Sequence, residues 1–160
     1  MDVNKRKRIL IVSAVFLPEQ ITSALMNYDL AKELSKQYEV TVLRPYPTRP
    51  LGMSFKSAEV NDSSFKTILI DSYTYPQSHF KGRIKESIDF GRKSAKYIKQ
   101  HSNEIDFIYN DGWQFFGLFI VARMARKYHI PYMVPIQDIY PEGPFVERKI
   151  PGFIKKNHLQ

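Results

Sequence analysis

The sequence predicts an α/β domain: a Rossmann-like, three-layer architecture around a mainly parallel central sheet. Three observations carry this. Short, unbroken apolar runs recur along the chain; longer stretches of helical period separate most of them; and the order reads strand, helix, strand, strand, helix, strand, helix, strand. With 160 residues the chain is sized for a single domain, 1–160.

Residues 8–14 (RILIVSA) form a continuous apolar run, as expected of a strand buried on both faces. The loop 15–20 follows, and Thr22 or Ser23 is placed to cap a helix running to about residue 37, with Leu25, Leu30, Ala31 and Leu34 inward. Residues 39–44 (EVTVLR) are rich in β-branched side chains and predict the second strand. From 45 to 64 prolines, Gly52 and an Asn-Asp-Ser-Ser run break all periodicity, which predicts a long, functional or mobile connection. Residues 66–71 (KTILID) predict a third strand. The helix 81–100 carries Ile84, Ile88, Gly91, Ala95 and Ile98 on one face and crowds Lys and Arg on the other. Residues 105–110 (IDFIYN) predict a fourth strand, and 113–128, apolar nearly all round, a buried helix. Residues 131–136 (PYMVPI) predict a fifth strand, with a further helix from Phe145 interrupted at Pro151-Gly152.

Composition removes several classes of function. The chain has no cysteine, which excludes disulfides, thiolate-bound zinc and thiol catalysis, and fits a reducing, cytoplasmic setting. Its longest apolar stretch, 115–122, falls far short of the roughly 20 residues of a membrane-spanning helix. Lys and Arg exceed Asp and Glu by 24 to 16, a net charge of +8 that favours an acidic partner or simply a solvated surface. The cations are not interleaved with aromatics in a dense run, so nucleic acid is not expected. No Gly-x-Gly-x-x-Gly follows the first strand, no phosphate-loop or nucleophile-elbow sequence exists, and the four histidines have no metal-ligand spacing.

In an open α/β sheet ligands bind beyond the C-terminal ends of the strands, where the strand order reverses. If the first strand is central, the loops after strands one, four and five meet there. These loops hold Glu19; Asn110, Asp111 and Trp113, the sole tryptophan; and Gln137, Asp138 and Glu142. Carboxylates and amides converging on helix N-termini suit a phosphate- or sugar-binding crevice. Each also has a structural reading: Glu19 as a solvated loop carboxylate, Asp111 as the cap of the helix at 113, Trp113 as core. Asp138, two residues past a buried strand and followed by Pro141-Glu142, is best placed for chemistry.

Two segments carry a resemblance to a known family. The opening RILIVSAVFLPEQITSALMNYDLAKELSKQYEVTVLRPYP is similar to the start of family-four retaining glycosyltransferases of the GT-B fold: a strand, a loop with Pro-Glu, a Leu-Ala-x-x-Leu helix and a Val-Thr-Val strand. IPYMVPIQDIYPEGP resembles the segment that follows the fifth strand in that family. The resemblance implies two Rossmann-like domains, of which this chain corresponds to the acceptor-binding one, the nucleotide-sugar domain lying outside it. It implies Asp138 as catalytic residue; Glu19, Asn110, Asp111, Trp113, Gln137 and Glu142 as acceptor contacts; and Thr22 and Ser23 at the donor diphosphate. It implies a nucleotide sugar as co-substrate, no metal, and a saccharide or lipid-linked acceptor in polysaccharide synthesis. An anionic membrane surface would then be met by segment 45–64 and the basic helix 81–99. Two positions depart from the family pattern: Gln20-Ile21-Thr22-Ser23 replaces a glycine pair, and Gln137 replaces a histidine. A stand-alone, non-catalytic ligand-binding domain is the competing reading.

Overall fold

The computed structural model describes residues 6–50, 52–55, 59–60, 62–75, 80–112 and 114–135. The elements are β1 (Arg8–Val12), α1 (Thr22–Ser35), β2 (Glu39–Arg44), β3 (Lys66–Leu69), α2 (Phe80–Gln100), β4 (Phe107–Asn110), α3 (Phe115–Lys127) and β5 (Tyr132–Met133), with one 3₁₀ turn at Ser102–Glu104. The five strands make one sheet in the order β3-β2-β1-β4-β5, and every pairing is parallel. The predicted α/β, three-layer arrangement is the observed one.

The strands are short but their apolar pattern explains the layering. Along β1, Leu10 and Val12 enter one core with Phe90 and Ile98 of α2 and Val121 and Ala125 of α3. Ile9 and Ile11 enter the other, with Phe16, Ala31, Val42 and Phe65. Successive side chains of a strand point to opposite faces, so a run with no polar break must be covered on both sides. Helix α1 covers one side, and α2 with α3 the other. β2 and β3 pair in parallel, Val42 opposite Thr67, with no helix between them among the described residues.

Three expectations about helix faces are corrected. The helix after β1 starts at Thr22 with Ile21 in the cap position and no side-chain cap bond, so neither Thr22 nor Ser23 caps it. Its buried residues are Ala24, Asn27, Ala31 and Ser35; Leu30 and Leu34 are partly buried against the same core, as expected, while Leu25 stands exposed. The buried Asn27 sets this rotation, because its amide bonds to groups beyond β1 and β4 described below. In α2 Gly91, Ala95 and Ile98 are buried as expected, joined by Glu86, Ser87, Phe90 and Ser94, while Ile84 and Ile88 are half-buried at the edge of that side. Third, α3 is not buried all round: Gly117, Val121 and Ala125 face inward, and its phenylalanines face water. Glycine is required where α2 and α3 touch. A Cβ on Gly91 would lie 2.7 Å from the Gly117 Cα, and the Gly117 N–H donates to the Ser87 hydroxyl at 2.8 Å.

Candidate functional site

β1 is central, and the chain goes to β2 on one side of it and reaches β4 on the other. The switch point therefore lies between β1 and β4, and an open α/β sheet has its ligand crevice at that point, beyond the C-terminal ends of the strands. The loop 13–21 and the residues Asp111, Gly112 and Gln114 border it. Gly112 brings in the chain after β5: a Cβ there would meet the Pro135 carbonyl oxygen at 2.7 Å.

Asp111 sits at the floor of this crevice, 4 % exposed. Its Oδ2 accepts from the Asn27 amide at 2.9 Å and lies 3.1 Å from the Ser13 hydroxyl, which also donates to the Val15 carbonyl at 2.6 Å. Asn27 bonds in addition to Ser13 Oγ and to Val15 O, at 2.9 and 3.2 Å. A buried carboxylate must be surrounded by donors, and here they come from β1's end and α1. The reading of Asp111 as cap of a helix at 113 is replaced: α3 begins at Phe115, with Gln114 in the cap position. Beside Asp111, Asn110 Nδ2 and both amide atoms of Gln114 are buried with no hydrogen-bond partner among the described residues. They border a water-sized cavity with Val12, Ala14 and Gly117.

Glu19 is not a solvated carboxylate; it is 2 % exposed. Its Oε1 accepts from the backbone N–H groups of Thr48 and Arg49, at 2.7 and 2.9 Å, fastening the loop after β1 to the chain after β2. The Arg49 guanidinium lies 3.9 Å from Glu19 and donates to both oxygens of Glu86 on α2, at 3.0 and 2.9 Å. Glu86 also receives Arg83 at 3.1 Å and the Tyr75 N–H at 3.1 Å. Burial pushes the Glu19 carboxyl above its ordinary range, opposed by the Thr48 N–H and by the charge of Arg49. Burial likewise lowers Arg44, at the end of β2, and the negative charge of Glu19 opposes the fall.

Glu19 and Asp111 thus belong to the two flanks of β1. Glu19 bonds on the β2 side and Asp111 on the β4 side. Thr22 and Ser23 open α1, whose first turn holds no acidic residue. Trp113, Gln137, Asp138 and Glu142 lie outside the described residues; of the three carboxylates expected from sequence to meet, Glu19 and Asp111 are described and stand in separate hydrogen-bond networks. Sequence reasoning missed Ser13, Asn27, Arg49, Glu86 and Gln114. The available signal was a polar residue at an inward spacing, Asn27 between Ala24 and Ala31, and Glu86 next to Ser87 on α2.

Elsewhere, a cavity of about 390 Å³ lined by Arg8, Glu39, Lys66 and Glu104 opens at the N-terminal ends of the strands, away from the crevice. Among the described residues no group of three His, Asp or Glu is placed to hold a metal, and no helix is long and apolar enough to cross a membrane.

No family model matches the sequence, and no curated protein matches it. Solved structures do. The chain is similar to the C-terminal domain (residues 78–226) of the PF1911 hydrogenase from Pyrococcus furiosus: TM-score 0.55 and 17% identity over 85% of this chain and 96% of that one. It is similar to UGT71G1 of Medicago truncatula, solved with UDP-glucose, at TM-score 0.54 and 19% identity over 83% of this chain and 30% of that one. A third likeness is UGT2 of Phytolacca americana, solved with UDP-2-fluoro-glucose and pterostilbene, at TM-score 0.51 and 17% identity over 82% and 30%. The chain spans under a third of the length of these two sugar-nucleotide complexes. At such identities the likeness establishes a shared fold.

Proposed function

We propose that this chain is the N-terminal, acceptor-binding half of a family-four retaining glycosyltransferase. The reaction it serves moves a sugar from a nucleotide-sugar donor to a saccharide or lipid-linked saccharide acceptor in cell-surface polysaccharide synthesis. The donor-binding domain is supplied from outside these 160 residues. The observation that carries the reading is the switch-point crevice, with a carboxylate held rigid at its floor and unpaired amides beside it. The likeness to UGT71G1 and UGT2, both solved with sugar nucleotides, supports it.

Glycosyl transfer passes through an oxocarbenium-like transition state with a diphosphate leaving group. The protein must orient the acceptor hydroxyl, meet the departing charge and exclude water. Asp138 polarises the acceptor hydroxyl, and Gln137, Glu142 and Trp113 hold the sugar ring around it. The buried amides of Asn110 and Gln114 line the water-sized cavity beside Asp111, beneath the crevice floor. Asp111 and Glu19 act one step back: Asp111 shapes the crevice floor, and Glu19 fastens its wall. The start of α1, at Thr22 and Ser23, presents a helix N-terminus without acidic neighbours to the donor diphosphate.

Ligand-observed NMR on the chain with glucose- and mannose-containing disaccharides, and separately with UDP-glucose, tests this. Saccharides are expected to bind and UDP-glucose not to. Asp138→Asn should weaken saccharide binding about tenfold, the scale of one lost charged hydrogen bond. Absence of saccharide binding, or turnover of UDP-glucose by the chain alone, would overturn the reading. The second reading, a non-catalytic ligand-binding domain, is favoured by one observation: the match covers 96% of the Pyrococcus domain, so a unit of this size exists without the remainder of a UGT. Saccharide binding indifferent to Asp138→Asn would support it.

A further inference from the structure

The outward face of α3 presents aromatic side chains to water. Phe115 is 76 % exposed, Phe119 67 % and Phe116 41 %, and Tyr132 and Met133 of the neighbouring β5 are exposed too. Farther along the same helix Arg123, Arg126 and Lys127 are exposed, and with Phe119, Ala122 and Tyr132 they line a surface groove of about 510 Å³. Between residues 112 and 135 the sequence contains no Asp or Glu. Cations in a last turn complement a helix dipole, which accounts for Arg126 and Lys127. It accounts neither for Arg123 nor for three phenyl rings in water.

We propose that this face docks on an anionic lipid bilayer. Phe115, Phe119, Arg123 and Arg126 follow one another at spacings of four, four and three, forming a stripe about 16 Å long on one side of the helix. Such a helix lies in the plane of the interface, with its rings in the boundary of the acyl chains and its guanidinium groups on lipid phosphates. The absence of any carboxylate over this whole stretch is the charge complement of an anionic surface. Rings standing on an exposed helix suit a fluid apolar medium. The surface differs from the one expected from sequence: α2 carries Lys96 and Lys99 in the open, and its one exposed aromatic, Phe80, stands at the opposite end of the helix from them. Docking here does not depend on the proposed glycosyl transfer. A chain that binds vesicles and no saccharide keeps this inference and loses that reading.

Flotation of the full chain with vesicles of phosphatidylcholine alone, or mixed equally with phosphatidylglycerol, provides the test. Binding is expected to the mixed vesicles only, and to fall with added salt. R123Q/R126Q should lower the partition coefficient about thirtyfold, at about 1 kcal/mol per cation. F115S/F119S should abolish most of the rest, and K96Q/K99Q should leave binding within twofold. Equal partition onto neutral vesicles, or an equal loss in K96Q/K99Q, would overturn the proposal. A third arm uses the absence of native cysteine: in F119C the thiol should react with a maleimide at the rate of a free thiol without vesicles, and more slowly with them. Slow reaction without vesicles, or a dimer in light scattering that F119S dissolves, would show that the face is covered by this chain or a second copy, and would equally overturn it.

Discussion

Helices α2 and α3 lie side by side on the same face of the sheet, yet each inverts the other's pattern. The first turns a buried carboxylate, Glu86, with Ser87, Gly91 and Ser94 inward beside Phe90, Ala95 and Ile98, and beyond Phe80 at its start its exposed side is solvated lysine and arginine. Its neighbour turns glycine, valine and alanine inward and shows phenylalanine to water. They meet through Gly91 and Gly117, where neither can hold a side chain. An amphipathic helix normally buries its large apolar residues. Here close approach between two helices leaves room inward only for small ones, and the large residues of α3 are displaced outward. The polar interior of α2 has the opposite origin: Glu86 goes inward because Arg49, Arg83 and the Tyr75 N–H wait for it.

The strongest way to break this contrast is to remove the partner of the buried charge. Arg49→Met leaves Glu86 with only the partly exposed Arg83 and the Tyr75 N–H; breaking a buried pair from one side costs about 3–5 kcal/mol, readable as a fall in the urea midpoint. A smaller loss is expected at the helix contact. Gly91→Ala drives a methyl against the Gly117 backbone and should cost about 1–3 kcal/mol, whereas an alanine at the exposed Lys96 should cost almost nothing. The charge on the α2 side also predicts a pH effect. Burial raises the Glu19 carboxyl, so the folded state binds its proton more tightly than the unfolded chain does. Its stabilising contribution is complete below the ordinary carboxylate range and fades as pH rises through the raised value. Glu19→Gln should therefore gain stability relative to the parent chain as pH rises above the ordinary carboxylate range, and a parallel pair of stability–pH curves would refute the shift. The smallest effect belongs to α3: Phe119→Ser should change the urea midpoint by less than about 0.5 kcal/mol, since the ring touches little within the chain.

Much of the fold was legible because the strands repeat one simple signal. Residues 8–14, 39–44 and 66–71 read as strands from apolar continuity and β-branching, and the strands Arg8–Val12, Glu39–Arg44 and Lys66–Leu69 lie within them. The helix faces were less legible. Leu25 and Ile84 look inward by period, but Asn27 and Glu86 answer partners 84 and 37 residues away and rotate their helices. The crevice residues Glu19 and Asp111 stood out from their position after strands. What each carboxylate bonds to did not, because Ser13, Asn27 and Arg49 carry no signature until the chain brings them together.

Sequence by itself determined that this chain builds a covered parallel sheet, with acidic and amide residues beyond the strand ends. Apolar continuity and turn chemistry act within a few residues, so they can be read locally. Only the tertiary structure decided which helix side is inside, which carboxylates are anchored, and that α3 keeps its rings in water. Those outcomes depend on contacts across the sheet, where one buried charge or one glycine pair outweighs the period of a whole helix.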